Sequence, residues 1–234
     1  MNRSKIGTTA KTDAVVQPRK SLTMVAYELL EELITTLKLE PGAILSESAL
    51  VDQLSIGRTP IREALQRLER EGLIVILPRK GIQVTDVNPR KHLLLLELRR
   101  ELEKLLARTG ALRATEAERL QFVSIADDME NTVGDEDHVG FMRLDYELNQ
   151  LIARAGHNEY ASRAIGLIQG LGRRFWFMHK EEAADLKLAV QLHATLARSI
   201  ARGTPTDTEQ AVNALLDYLE KFTRTTVDPS LLSR

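Results

Sequence analysis

The stretch Ile56 to Leu77, IGRTPIREALQRLEREGLIVIL, constrains this chain most, because it runs a short helix directly into a strand. Ile61, Ala64, Leu65 and Leu68 recur at helical spacing and form one apolar face. Arg58, Arg62, Gln66 and Glu69 fall on the opposite face, so two guanidinium groups project together near the helix start. Thr59 as N-cap with Pro60 in the first turn fits the start, and Gly57 is the alternative cap. Gly72 fits the C′ position that ends the helix. Leu73 to Leu77 and Ile82 to Thr85 are β-rich runs around Pro78-Arg79-Lys80-Gly81, which reads as a hairpin with a basic tip. Gly81 lets the backbone there approach another surface closely. Arginines at a helix N-terminus suit a duplex major groove, where the helix end favours phosphate and Arg reads guanine O6 and N7 together.

Upstream, Leu22 to Leu37 is amphipathic. Leu22, Val25, Ala26, Leu29, Leu30, Leu33 and Leu37 form one stripe, with Glu28, Glu31 and Glu32 mostly off it. The acidity of that helix turns it away from DNA. Glu40-Pro41-Gly42 is a turn, Ser46 caps a second short helix through Leu54, and Ser55-Ile56-Gly57 is the tight turn before the arginine helix. Helix, helix-turn-helix and basic hairpin together predict a winged helix over residues 21–87. Residues 1–20 read as a disordered basic tail, or as an arm touching DNA phosphates.

The 234-residue chain has room for two cores. Its aromatic content of 4% against 43% apolar residues favours aliphatic helical cores over a β-sandwich. The net charge of −1 means that any DNA-binding charge is local, as it is between Arg58 and Lys80. The absence of Cys excludes disulfides and thiolate metal sites, and agrees with a reducing compartment. No apolar run approaches a membrane span and no secretory signal opens the chain, so a cytoplasmic location is expected.

Residues 22–87 resemble the DNA-binding domain of the GntR family of bacterial transcription regulators. The resemblance rests on LEPGAILSESALVDQLSIGRTPIREALQRLEREGLI and on the wing Arg79-Lys80-Gly81. It implies DNA contacts from Arg58, Thr59 and Arg62, with Arg79, Lys80 and Gly81 at the wing. Gly57 departs from the family's usual Ser or Thr, and Ser48 from a frequent basic residue, which bears on the operator sequence.

Asn88-Pro89 marks the domain boundary, and residues 88–234 read as an all-α bundle in about six helices: Pro89 to Arg108, Thr115 to Asn131, Phe141 to Ala153, Glu159 to Lys180, Asp185 to Ala201 and Thr208 to Thr225. This half resembles the effector domain of the FadR-like (FCD) branch of that family. Arg99-x-x-Leu102-Glu103, Asp145-x-x-x-Asn149, Ala155-Gly156-His157-Asn158 and His193 before Ile200-Ala201-Arg202-Gly203 carry the resemblance. Many members of that branch hold a divalent metal with one Asp and three His. The corresponding positions here are Asp145, Asn149, His193 and Tyr218, so two imidazoles are missing. That implies a degenerate site of Asp145, Asn149 and His193 with weak metal binding or none, and no firm cofactor. For His193 the plain alternative is a hydrogen-bonded histidine in a polar pocket.

Arg99 lies among Leu95, Leu98 and Leu102 and needs an anionic partner. Either Glu103 at i+4 supplies it, or Arg99 grips the carboxylate of a small effector. The resemblance implies the second, with Asp145, Asn149, His193 and Tyr218 around the ligand. Arg143, Arg173 and Arg174 are further candidates, while Phe175, Trp176 and Phe177 read as core or interface. The resulting reading is a homodimeric, ligand-responsive regulator, expected to be a repressor, that binds double-stranded operator DNA and a small carboxylate. Two rivals stand beside it: a metal-assisted hydrolase using Asp145 and His193, and a winged helix used for protein contacts.

Overall fold

The computed structural model describes residues 20–183 and 185–227. Of the expected tail, 1–20, all but Lys20 lies outside the described residues. Lys20 donates to Glu28 at 2.7 Å.

Helix α1 (Leu22–Thr35) starts where the Ser21 hydroxyl accepts Met24 N–H. Its buried residues are Ala26, Tyr27, Leu30, Glu31, Ile34 and Thr35. The expected stripe is therefore corrected: Leu22 and Leu29 are exposed, and the acidic Glu31 is buried. Strand β1 (Ile44–Leu45) was not expected from its two residues. Helix α2 (Glu47–Leu54) is capped by Ser46, and Ser55 in left-handed conformation makes the turn to α3 (Arg58–Arg70). Gly57, not Thr59, caps α3, with no side-chain hydrogen bond to the helix start. Strands β2 (Ile74–Leu77) and β3 (Gly81–Val84) form the hairpin, and the antiparallel sheet runs β1-β3-β2. Ile76 pairs with Ile82 and Leu45 with Ile82 from the other side. These elements enclose a core of Leu30, Ile34, Leu50, Ile61, Leu65, Leu68, Leu73 and Ile74.

The second core is helical. Helix α4 (Pro89–Arg113) starts at the Asn88 cap, as expected, and runs five residues beyond the expected Arg108. Helix α5 (Glu116–Asn131) carries the Thr115–Glu118 capping box. Helix α6 (His138–Ala155) starts at Asp137. The single helix expected from Glu159 to Lys180 is two, α7 (Glu159–Gly166) and α8 (Gln169–Ala183). The break has a local cause: Leu167 and Ile168 N–H turn to the carbonyls of Ala164 and Ile165, tightening the last turn after Gly166. Helix α9 (Leu186–Arg202) ends on Gly203 at φ +73°, and α10 (Pro205–Val227) follows. Phe122, Met129, Leu148, Phe175, Leu196, Ile200 and Leu216 lie in this core. Among the described residues no helix is long and apolar enough to cross a membrane.

The acidic face of α1 packs against the bundle. Glu32 takes two hydrogen bonds from Arg143 of α6 at 2.6 and 3.0 Å, and buried Glu31 takes one from Arg173 of α8. Arg174 donates to Thr85 O at 2.9 Å and to Thr85 Oγ1 at 3.1 Å, tying the end of the wing to α8. Gly170 permits this approach, since a Cβ there would lie 2.9 Å from Leu73 Cδ1 and 3.1 Å from Glu31 Oε1.

Candidate DNA-reading face and effector cavity

Arg58, Thr59 and Arg62 stand exposed on the first turns of α3, beside the turn that leaves α2. Arg62 donates through Nε and Nη2 to both oxygens of Glu47, at 3.1 and 3.0 Å, and Arg58 Nε lies 3.4 Å from Glu47 Oε1. Glu47 thus holds both arginine forks on one face. Such exposed pairs are worth about 0–1 kcal/mol, so DNA phosphates and bases can displace the carboxylate.

Arg79 and Lys80 are exposed at the wing turn, where Arg79 is left-handed at φ +63°. Gly81, at φ +105°, serves the chain's own sheet: a Cβ there would stand 2.6 Å from Leu45 O. The surface that this glycine lets the backbone approach is β1. Gly81→Ala should destabilise the winged helix by about 1–3 kcal/mol through backbone strain alone. Thermal melting reads this, and an unchanged midpoint would mean that β1 shifts without cost.

In the bundle, Arg99, Asp145, Asn149 and His193 line one small cavity, with Phe141, Met142, Gln169, Gly172, Arg173, Trp176 and Leu219. Its free volume is about 30 Å³. Tyr218 is not in that lining. Its hydroxyl stands 3.5 Å from Trp176 Nε1 and from Asp185 O, and its neighbour Leu219 faces the cavity. One residue along a helix is a turn of about 100°.

The electrostatics are those of a closed network. His193 Nδ1 lies 2.7 Å from the Ala189 carbonyl, and Nε2 lies 3.2 Å from Asp145 Oδ1. A backbone carbonyl and an ionised Asp145 are both acceptors, an arrangement that favours the doubly protonated ring. Burial opposes that charge, but the hydrogen bond and charge of Asp145 outweigh it and raise the His193 pKa. Burial likewise opposes ionisation of Asp145. His193, Arg173 and Arg99 outweigh it and hold the carboxyl below its ordinary value. Asn149 turns its amide N–H, not its oxygen, toward Asp145 Oδ1 at 3.0 Å. Arg99 Nε donates to Glu103 at 2.7 Å, so the i+4 partner is present. The Arg99 guanidinium still lines the cavity, against Gly172, where a Cβ would come within 2.4 Å of Nη1.

This donor set does not fit a divalent metal. His193 has no free lone pair in the network, Asn149 presents a donor, and Leu219 occupies the side expected of Tyr218. Among the described residues no three His, Cys, Asp or Glu side chains are grouped to hold a metal ion.

Of the other arginines singled out, Arg143 and Arg174 lie in the interdomain contact, and Arg173 belongs to both that contact and the cavity. Arg173, a further candidate in the sequence, is in the cavity lining. The signal was the run Gln169-Gly-Leu-Gly-Arg-Arg174, two helix-interior glycines before two buried arginines. His92, unassigned in sequence, stacks on Phe175 at 3.9 Å, and burial with nearby Arg99 pushes its pKa down to about 3. Phe175 and Trp176 are both core, and Trp176 also reaches the cavity.

Known proteins share both halves. The profile of "Bacterial regulatory proteins, gntR family" matches residues 22–84, and that of "FCD domain" matches residues 94–218. The HTH-type transcriptional repressor RspR of Escherichia coli strain K12 is 21% identical over 209 residues, covering 89% of this chain and 92% of RspR. An uncharacterised HTH-type transcriptional regulator in an unstable DNA locus of Streptomyces ambofaciens is 43% identical over 63 residues; the match spans 27% of this chain and 27% of that protein's length. Among solved structures, Escherichia coli McbR/YncC superposes with a TM-score of 0.75 at 18% identity, over 90% of this chain and 100% of that one, which shows a shared fold. These relatives are transcription regulators, not enzymes. A winged helix with Arg58 and Arg62 exposed on α3, joined to a bundle matched over more than half the chain, places this protein in the GntR family of bacterial regulatory proteins, in the branch that carries an FCD domain.

Proposed function

We propose that the protein is a homodimeric transcription repressor whose operator affinity responds to a small carboxylate bound in the α4–α6–α8–α9 cavity. The carrying observation is the cavity itself: two arginines, a histidine and a carboxylate are buried together, next to the contact with the DNA-binding half. Arg58, Thr59, Arg62, Arg79 and Lys80 are the side chains assigned to operator DNA, with Gly81 shaping the wing. Arg99 is assigned to the ligand carboxylate, while Asp145, Asn149 and His193 orient it. The repressor assignment follows the name of RspR.

Exposed Leu94 and Leu98, 64% and 51% accessible one helical turn apart on α4, support an apolar surface for a second copy. Sedimentation showing a monomer at micromolar concentration, with and without DNA, would remove the dimer from this reading.

The ligand assignment is tested by a thermal-shift screen of small carboxylates. A ligand at one hundred times its Kd stabilises the folded state by about 2.7 kcal/mol. Arg99→Ala should abolish that shift and the ligand's effect on DNA, while unliganded operator binding persists. A variant that responds as the parent does would leave Arg99 as Glu103's partner alone.

A further inference from the structure

We propose that Arg173 is the coupling residue of this regulator: an anion in the cavity takes its guanidinium from Glu31 and thereby weakens the hold of the bundle on α1, leaving the Glu32–Arg143 pair as a hinge. This rests on the reading of the cavity as the effector site.

Glu31 and Arg173 are 4% and 6% exposed, the one on the DNA-binding half and the other on the bundle. Arg173 Nη2 donates to Glu31, while its Nη1 is buried without a hydrogen-bond partner. Burial opposes the Arg173 charge, and Glu31 and Asp145 outweigh it from opposite sides, raising its pKa. The guanidinium therefore answers both an interdomain carboxylate and a cavity carboxylate, and its Nη1 has no partner. An unsatisfied buried donor costs about 1–3 kcal/mol, which a ligand oxygen would recover.

Space points the same way. The cavity's free volume of about 30 Å³ admits little beyond water. A second space of about 220 Å³ lies beside it between α1 and α6, lined by Glu28, Glu31, Glu32, Tyr146 and others. Met142 and Arg173 line both spaces, so they are the partition. A carboxylate entering the smaller space displaces Arg173 or draws it inward.

The charge count agrees. Arg99, Arg173 and His193 face Asp145 and Glu103 around the cavity, and Glu31 supplies the third negative charge from α1. A monoanion can replace Glu31 without leaving a net charge buried.

Release of Glu31 would not be local. Gly170 lets α8 lie close to the Glu31 and Leu73 side chains, so α1 and α8 are in direct contact there. On the other side, α1 is fixed to α3: Tyr27 donates to Glu71 at 2.9 Å, Arg67 stacks 3.5 Å over the Tyr27 ring, and Thr23 donates to Glu63 at 2.6 Å. A shift of α1 therefore carries the DNA-reading helix with it, which re-poses the two reading heads of a dimer.

The chain has no cysteine, so a labelled pair is clean. Spin labels at exposed Asp52→Cys and Ala117→Cys report the distance between the two halves. Acetate, malonate and inorganic phosphate are the probes, with sodium chloride at matched ionic strength as control. Binding in the cavity is read from the His193 ring resonances. In the parent, a probe that shifts His193 should also broaden or move the distance distribution. Glu31→Gln should broaden it without any probe and should tighten probe affinity about tenfold, within the usual range of coupling between sites. Glu31→Asp keeps the charge with a shorter reach and should fall between the two. That ordering also serves if Glu31→Gln does not fold. If a probe shifts His193 while affinity and distances are the same in parent and Glu31 variants, the coupling role is overturned and the effector cavity stands. If no probe shifts His193 in either the parent or Glu31→Gln, the cavity reading fails and the coupling role with it.

Discussion

Arg62→Ala should weaken specific operator binding by about 1–3 kcal/mol, roughly 5–150-fold, because a bidentate Arg–guanine contact is worth that much discrimination. The structure gives the fork its direction. Nε and Nη2 of Arg62 already engage two oxygens of Glu47 in the parallel geometry that would read O6 and N7 of a guanine. Arg58 shares the same carboxylate and should behave similarly. Lys80→Ala, at the wing, should instead lower affinity for every sequence and reduce the salt slope by about one. Glu47→Ala supplies the opposite sign: removing the carboxylate frees both arginines, so affinity for all DNA rises while sequence preference falls. Fluorescence anisotropy across a salt series separates these three outcomes. Equal operator affinity in parent, Arg62→Ala and Lys80→Ala would sink the DNA assignment and favour a winged helix used for protein contacts.

The DNA-reading half was legible because its determinants are local. A cap at Ser46, a turn at Ser55 and the spacing Ile61, Ala64, Leu65, Leu68 lie within about two dozen residues, and each is satisfied where expected. Strand β1 was not legible. Two residues carry no periodicity, and their pairing with β3 reaches nearly forty residues along the chain. The partners of the acidic face of α1 were not legible for a related reason. Glu31 and Glu32 look like a solvated face until Arg173 and Arg143 arrive from 142 and 111 residues away. Charge on a helix says that a partner or water is needed and does not say which.

The cavity was legible as a set of residue types and less so as geometry. Arg99, Asp145, Asn149 and His193 do meet, yet the position on α10 is Leu219 instead of Tyr218. A slip of one residue is invisible when both neighbours are apolar or amphipathic, although it turns the side chain through about 100°. The split between α7 and α8 was hidden similarly, since Gly166 was tolerable in a helix until Gly170 and Gly172 were seen to serve Glu31 and Arg99.

Asp145→Ala should produce the largest loss of stability in the chain. Removing one partner from a buried ion pair costs about 3–5 kcal/mol, because the charge left behind has neither water nor a counter-ion. Here Asp145 faces His193 at 3.2 Å, with Arg173 and Arg99 also favouring its charge. His193 can discharge and limit the damage, whereas the arginines cannot. For a protein of this size the loss corresponds to a fall in Tm of roughly 6–20 °C. The pH dependence fixes the assignment. The His193 pKa is raised in the folded state, so its share of the stability is complete below the unfolded value near 6.5 and is lost as pH rises through the higher folded value. The Asp145 pKa is lowered, so its share is complete above the unfolded value near 3.9 and is lost as pH falls through the lower folded value. The parent should therefore be most stable, with respect to this pair, between about pH 4 and 6.5, and should soften from 6.5 upward. In Asp145→Ala that alkaline softening should vanish, and the His193 resonances should titrate at lower pH than in the parent. A variant melting within 2 °C of the parent near pH 5.5, or a parent His193 that titrates below an ordinary histidine, would refute the buried ion pair as drawn.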